Sequence, residues 1–189
     1  MPRLIHLNGL PGSGKSTLGR AWVEAHDGSL LVDPDLLLTS IGGWRERFFA
    51  LIPTARALAV SLVSTHLTGS SDVVLCQLAT APGEIEPYER AARDHGADVV
   101  EVLLTCDPEL LLARRSARAG DTAHGIRHDL DAVIEEHGGE QLLRRIQSHF
   151  QAYASLRDQA HRLLVRDEPV AETLRRLEEL LDPGCPKTG

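Results

Sequence analysis

Residues 9–16, Gly-Leu-Pro-Gly-Ser-Gly-Lys-Ser, satisfy the pattern GxxxxGK[ST] at every fixed position, and Thr17 follows. Such a loop works only in one setting, between the end of a strand and the start of a helix. The chain supplies that setting: apolar "LIHLN" (4–8) precedes the loop, and a helical pattern follows to about Asp27. Gly9, Gly12 and Gly14 let backbone N–H groups wrap an anion without Cβ obstruction, at the positive end of the helix dipole. Ser13 and Thr17 complete the cradle, Lys15 stands where it reaches the β- and γ-phosphates of a nucleotide, and the Ser16 hydroxyl stands where it ligates Mg²⁺. Of the 20 basic residues, only Lys15 and Lys187 are lysines. The single interior lysine therefore falls on the position where this chemistry needs an ammonium group.

Periodicity places the loop in an alternating α/β chain. Strands are expected at 4–8, 29–33, 72–78, 99–106 and 162–165, and the run "DVVLCQL" (72–78) is apolar enough to be buried on both faces. Helices are expected at about 44–67, from Pro82 and Glu84 to about 96, at 107–120, 139–158 and 169–181, with Asp107 and Pro108 giving a cap-and-proline start. Strands alternating with helices imply a parallel sheet covered on both faces. Residues 121–137 are polar and lack a core pattern, as a flap would, and 183–189 read as a flexible tail. The organisation expected is one domain over 1–182, with a lid at about 114–137.

Charge and cysteine content narrow the setting. The net charge of −7 argues against a broad nucleic-acid surface. No apolar run approaches the unbroken ~18 residues of a membrane helix, and the N-terminus enters the glycine-rich loop without a basic-then-apolar leader. Three cysteines (Cys76, Cys106, Cys185) form no CxxC pair. The expected setting is cytoplasmic, without membrane association, as a monomer or homodimer. Cys76 and Cys106 lie in apolar strands and are read as packing residues.

Two carboxylates interrupt the apolar stretch "LLVDPDLL" (30–37). Asp33 and Pro34 end a strand, and Asp35 is placed to cap a following helix; beside Lys15 and Ser16, the same acids face a magnesium nucleotide. The third strand ends "VVLCQLAT", so Gln77 stands where many nucleotide-binding proteins carry a metal-holding Asp. Gln77 either hydrogen-bonds a substrate or is a strand-end amide satisfied by its neighbours. Residues 111–128 hold four arginines (Arg114, Arg115, Arg118, Arg127) against one acid, Asp121. Arg114 and Arg118 share a helix face, and guanidinium suits charge developing on a phosphoryl group. His124 and His128 have i, i+4 spacing but no third ligand, so no metal site is expected there. The acceptor of a transferred group is expected among Asp35, "IGGWRERFF" (41–49) and the helix at 54–67, where Trp44, Phe48 and Phe49 offer apolar surface and Arg45 or Arg47 could meet an anion.

In its glycine-rich loop and order of elements, the chain resembles the small P-loop kinases: shikimate, gluconate and chloramphenicol kinases and the kinase part of polynucleotide kinases. The resemblance implies a P-loop NTPase fold, a five-stranded parallel sheet flanked by helices with a helical lid. It implies ATP and Mg²⁺ as cofactors and a small-molecule hydroxyl as acceptor. Asp33 and Asp35 match the acidic pair such kinases carry after the second strand. One of them, assigned here to Asp35, accepts the proton of the acceptor hydroxyl while Asp33 holds Mg²⁺ through water; the reverse assignment stays open. Arg114, Arg115, Arg118 and Arg127 match the arginine-bearing lid of such kinases, with Arg118 and Arg127 assigned to the nucleotide, and Pro169 in "VRDEPVAET" matches the proline loop beside the adenine. Two alternatives accompany this reading. One is a nucleoside, nucleotide or polynucleotide 5′-hydroxyl kinase, of which a long nucleic acid is the least suited to an acidic chain. The other is a non-catalytic ATP-binding regulator. No NKxD motif supports a guanine-nucleotide switch.

Overall fold

The computed structural model describes residues 1–119 and 132–182, with the side chains of 115–119 outside the description. Five parallel strands form one sheet: β1 (Arg3–Asn8), β2 (Leu30–Val32), β3 (Val73–Cys76), β4 (Asp98–Cys106) and β5 (His161–Val165), in the order β2-β3-β1-β4-β5. Around it lie α1 (Lys15–Ala25), α2 (Pro34–Thr39), α3 (Phe48–His66), α4 (Glu86–Asp94), α5 (Pro108–Ala119), α6 (Gly139–Ser155) and α7 (Val170–Leu181). A 3-10 turn at Pro82–Glu84 leads into α4, and residues 132–136 are helical.

Alternation along the strands explains the layers, because successive side chains point to opposite faces. Leu4, Val73 and Leu75 pack on one face against Ala59 and Val63 of α3 and Tyr88 and Ala92 of α4. Ile5, Leu7, Val74 and Cys76 pack on the other against Leu18 and Trp22 of α1 and Leu177 of α7. Both faces are apolar because both are covered, which is why the strands read as continuous apolar runs. Cys76 is buried and Cys106 half-buried, and neither is in a disulfide among the described residues.

β1 sits at the centre, paired with β3 on one side and β4 on the other. Its C-terminal end therefore delivers the glycine-rich loop to the middle of the sheet edge. β2 and β3 lie to one side of that point and β4 and β5 to the other, giving two half-clefts that share the loop.

The structure departs from the expected elements in three places. α2 is a short helix, and its N-cap is Asp33, not Asp35: Asp33 Oδ1 accepts the Asp35 N–H at 3.1 Å, and Pro34 takes the first helical position. Proline lacks an N–H that the first turn would leave unbonded, so it fits there and shifts the cap one residue before itself. β3 ends at Cys76 rather than 78, because the Asn8 side chain takes over the ladder: Nδ2 donates to Ala79 C=O and Oδ1 accepts from Ala79 N–H. α3 starts at Phe48 rather than 44; Trp44 and Phe48 instead fold onto Leu38, Leu51 and Ala55 as a small cluster. At 19 residues and mean hydropathy 1.6, α3 is also long and apolar enough to cross a bilayer. Arg56 interrupts it at mid-length with an ion pair to Glu84 at 2.8 Å.

A buried acid fixes the base of the loop. Glu101 on β4 accepts from Asn8 Nδ2 (3.1 Å), Tyr153 Oη (2.9 Å) and Arg157 Nε (2.6 Å), and His6 Nδ1 lies 3.5 Å away. Burial alone would raise the Glu101 pKa, but the nearby His6 ring and the hydrogen bonds from Asn8 and Arg157 outweigh it and lower it from 4.5 to about 2. A depressed carboxylate pKa stabilises the fold above its unfolded-state value, and that contribution is lost as pH falls through the folded value. Arg157 is partly exposed, so the contribution is discounted to on the order of 2 kcal/mol. Between pH 4.5 and 2 the urea midpoint is expected to fall. Glu101→Gln should lower it at neutral pH and flatten the slope in that window, as chemical denaturation across the pH series would read.

Candidate active site

The loop between β1 and α1 has the geometry of an anion cradle. Gly12 and Gly14 adopt φ of 95° and 90°, a region that an L side chain rarely enters. Gly14 caps α1 with no side chain intervening, so the first N–H groups of the helix point into open space. Lys15 Nζ arches back and donates to Gly9 C=O at 2.6 Å and Leu10 C=O at 3.2 Å, bracing the loop. Gly9 does not line the cleft; a Cβ there would meet Ser13 Oγ at 2.7 Å and Leu104 O at 3.0 Å, so the loop closes only around glycine.

Ser16, the second residue of α1, donates from Oγ to Asp33 Oδ2 at 2.7 Å. Asp33 is 6% exposed, and its two carboxylate oxygens are shared between Ser16 and the α2 cap. Asp35, two residues on, is exposed and lines the cleft. The sharp start of α2 at Pro34 thus splits the acidic pair, holding Asp33 beneath the loop and presenting Asp35 to the cavity.

That cavity, about 680 Å³, runs from the loop into both half-clefts. Toward β4 and β5 it is lined by Arg114, Val165, Glu168, Val170 and Thr173. Arg114 Nη2 donates to Arg166 C=O at 2.9 Å, and Nη1 would lie 3.7 Å from a Cβ on Gly14, which places this guanidinium over the loop. Pro169 is the N-cap residue of α7 between two lining residues, and does not itself line the cavity. Toward β2 and β3 the cavity is lined by Asp35, Arg56, Gln77, Thr80 and Glu84, with Phe48, Phe49 and Ile52 of α3 above them.

The cavity therefore brings together Gly12, Ser13, Gly14, Lys15, Ser16, Thr17, Asp35, Gln77 and Arg114. Trp44 and Arg45 stay outside it: the Arg45 guanidinium lies 5.1 Å from the Trp44 ring, and the ring packs on the α2–α3 cluster. The Gln77 side chain lines the cavity with both ends engaged by the protein. Its Nε2 donates to Glu84 C=O at 3.3 Å and its Oε1 accepts from Tyr88 Oη at 2.8 Å. Burial raises the Tyr88 pKa far above the ordinary value, with Asp35 adding to the shift against Arg56, so Tyr88 stays a neutral donor. Arg127, His124, His128 and the side chains of Arg115 and Arg118 lie outside the described residues, as does the tail with Cys185 and Lys187.

Arg56, Glu84 and Thr80 are among the lining residues that were not singled out as site residues from the sequence. Arg56 was legible in one respect, as an isolated guanidinium in an otherwise apolar helix. Glu84 accepts from Thr80 N–H (2.6 Å), Thr80 Oγ1 (3.2 Å), Ala81 N–H (3.2 Å) and Arg56 Nη1 (2.8 Å). Burial opposes its ionisation, but these bonds hold its pKa below the usual value. Thr80 is drawn to the site only by folding of the segment after β3, and no local signal marks it.

Three solved structures and a family model bear on this arrangement. The chain is similar to a gluconokinase from Sinorhizobium meliloti 1021, with 22% identity, TM-score 0.54, and coverage of 95% of this chain and 90% of the other. It is similar to a shikimate kinase from Bacteroides thetaiotaomicron, with 19% identity, TM-score 0.57, and coverage of 95% and 98%. It is also similar to the tunicamycin resistance protein of Deinococcus radiodurans, with 11% identity, TM-score 0.59, and coverage of 96% and 96%. No curated protein sequence matches the chain. These likenesses agree with the parallel sheet and its central loop in showing the α/β P-loop NTPase fold. The family model for the AAA domain matches residues 4–139, the span from β1 through the glycine-rich loop to the start of α6, and the chain belongs to that family of P-loop proteins.

Proposed function

We propose that this chain is an ATP- and Mg²⁺-dependent phosphotransferase that moves the γ-phosphate to a hydroxyl of a small molecule. One observation carries the reading. The acidic pair at the start of α2 meets the loop directly through the 2.7 Å contact from Ser16 to Asp33, while Asp35 lines the same cavity.

The residues fit the cofactors. Mg²⁺ prefers oxygen donors and is held by one or two protein groups plus phosphates and water. The Ser16 hydroxyl and Asp33 carboxylate supply such a pair, and the described residues hold no group of three or more acidic, His or Cys side chains that could bind a metal without a nucleotide. Bound Mg²⁺ would neutralise charge on the β- and γ-phosphates. The helix N-terminus of α1 and the loop N–H groups bind the phosphates, and the Lys15 ammonium exchanges its carbonyl partners for phosphate oxygens. Arg114 lies over the loop, where its guanidinium meets the transferred phosphoryl group.

Transfer then needs an acceptor oxygen in line with the bond to be broken. The acceptor oxygen bonds to the γ-phosphorus, the bond from that phosphorus to the bridging oxygen breaks, ADP leaves, and the hydroxyl proton passes to Asp35. Positioning provides most of the acceleration, so the base needs no raised pKa. The test is γ-labelled ATP with a panel of hydroxylated metabolites, nucleosides and antibiotics. Acceptor-dependent label transfer that stops on chelation of Mg²⁺ is the expected result. Retained ATP binding without transfer to any acceptor would mark a nucleotide-binding regulator instead.

A further inference from the structure

Across the loop from the acceptor half of the cleft, at β2 and β3, the nucleotide half at β4 and β5 holds a carboxylate that no step of the transfer uses. Glu168 lies in the segment after β5, lines the cavity, and has a side chain only 15% exposed. Its Oε1 accepts from Thr173 Oγ1 at 2.9 Å and from Arg176 Nη1 at 2.6 Å. Arg176 Nη2 in turn donates to Leu164 C=O at 2.6 Å, so the carboxylate is clamped between α7 and β5. Two donors fill Oε1, while Oε2 accepts no hydrogen bond among the described residues. A carboxylate held this firmly by one oxygen offers the other as a fixed acceptor to a ligand in the cavity.

The sheet fixes where this acceptor stands relative to the glycine-rich loop. Neighbouring strands lie about 4.8 Å apart, so the end of β5, two strands from β1, is roughly 10 Å across the sheet from the loop. Arg114 spans that interval, with Nη2 on Arg166 C=O and Nη1 beside Gly14. A nucleotide with its phosphates on the loop extends across the same interval and carries its base to the far end. There Val165, Val170 and Glu168 line the cavity, and Val170 is 41% exposed, apolar area that a ring would cover.

Resting on the phosphotransferase reading above, we propose that Glu168 selects the nucleotide, its Oε2 accepting from the 6-amino group of a purine base. Adenine has a donor at that position, whereas hypoxanthine and guanine have a carbonyl oxygen that would face the carboxylate. The N1–H and 2-amino edge of guanine suits a carboxylate with both oxygens open. Here Oε1 is already filled, so one of those two donors would lose its hydration without replacement. One open acceptor matches one amino group, and 6-oxopurine nucleotides are the class it rejects.

Calorimetric titration of the full chain compares MgATP with MgITP and with the magnesium complex of purine riboside triphosphate, which lacks the amino group. MgATP is expected to bind roughly 10- to 100-fold more tightly than either, the range of a hydrogen bond to a charged group. Glu168→Gln is the second arm. Its carbonyl oxygen replaces Oε1 as acceptor for Thr173 and Arg176, so its amide N–H groups face the base. The preference for ATP over ITP should then fall by at least about tenfold, whereas a structural role alone would weaken both nucleotides alike. The wild-type comparison stands whether or not that variant folds. Equal wild-type binding of MgATP and MgITP overturns this inference and leaves the phosphotransferase reading intact; a loss confined to 2′,3′-dideoxy-ATP would assign the carboxylate to the ribose. An unchanged preference in a folded Glu168→Gln also overturns it, because the base is then read elsewhere. A preference for MgATP that Glu168→Gln abolishes, with no transfer to any acceptor, keeps the base assignment and overturns the phosphotransferase reading. If none of the nucleotides binds, both are wrong.

Discussion

Asp35→Asn is expected to lower kcat for phosphate transfer by roughly 10³-fold, within the range that a positioned general base contributes, while MgATP affinity changes by less than about twofold. The two readouts separate because of where α2 begins. The Asp35 backbone N–H, not its side chain, is what Asp33 holds, so the substitution leaves the cap and the Ser16–Asp33 contact in place. Asparagine is close in volume to aspartate and keeps a polar side chain in the first turn of the helix. What it loses is the ability to take a proton from the acceptor. Single-turnover transfer to the acceptor, measured beside equilibrium binding of a fluorescent ATP analogue, gives both quantities. Near wild-type transfer by this variant would move the base elsewhere and leave Asp35 as a positioning group.

The residues of the nucleotide half were legible because their constraints are local. Gly12, Gly14, Lys15 and Ser16 are bound by spacing to one strand–loop–helix unit, and the positive φ values at both glycines are what such a turn needs. Asp33 and Asp35 were legible as a pair but not in their division of labour. That depends on a cap geometry in which Pro34 occupies the first helical position, and only the folded turn shows which carboxylate faces inward. The acceptor half was less legible for a different reason. Its wall joins α3 to Leu78 and to α6, elements brought together only by the crossover connections of the sheet, so spacing along the chain carries no trace of the cavity. Aromatic content drew attention to Trp44, Phe48 and Phe49 alike. In the fold Trp44 packs only in the α2–α3 cluster, Phe48 belongs to that cluster and also lines the cavity, and Phe49 lines the cavity.

Gln77 shows how a departure from the usual acid at the end of β3 is accommodated. Its carbonyl is tied to His6 Nε2 at 2.9 Å and its amide to Glu84 and Tyr88, so it builds the wall that positions Arg56 and Glu84. An aspartate there would bring a further charge into a buried spot already facing the Tyr88 hydroxyl and the Glu84 backbone carbonyl. On the proposed phosphotransferase reading, the metal chemistry would fall to the other carboxylate beside the loop, Asp33.

Two substitutions at Asp33 divide its roles. Asp33→Asn keeps an oxygen that accepts the Asp35 N–H, so the cap survives and the melting temperature should stay within about 2 °C, since an amide caps nearly as well as a carboxylate. It removes the charge that would steady hydrated Mg²⁺ beside Ser16. Outer-shell groups of that kind typically contribute a factor of about 10 to 100 in metal affinity or activity. The Mg²⁺ concentration for half-maximal transfer should rise by that factor, and excess Mg²⁺ should restore much of the rate. Asp33→Ala removes cap and charge together. It should show the same Mg²⁺ dependence with a further stability loss of about 1 kcal/mol, or roughly 2–4 °C in a chain of this size. Titrating Mg²⁺ and recording thermal unfolding on both variants tests the assignment. If Asp33→Asn transfers phosphate with unchanged Mg²⁺ dependence while Asp33→Ala loses only stability, Asp33 is a helix cap alone. The metal would then be held by Ser16 and the phosphates, without a carboxylate from β2.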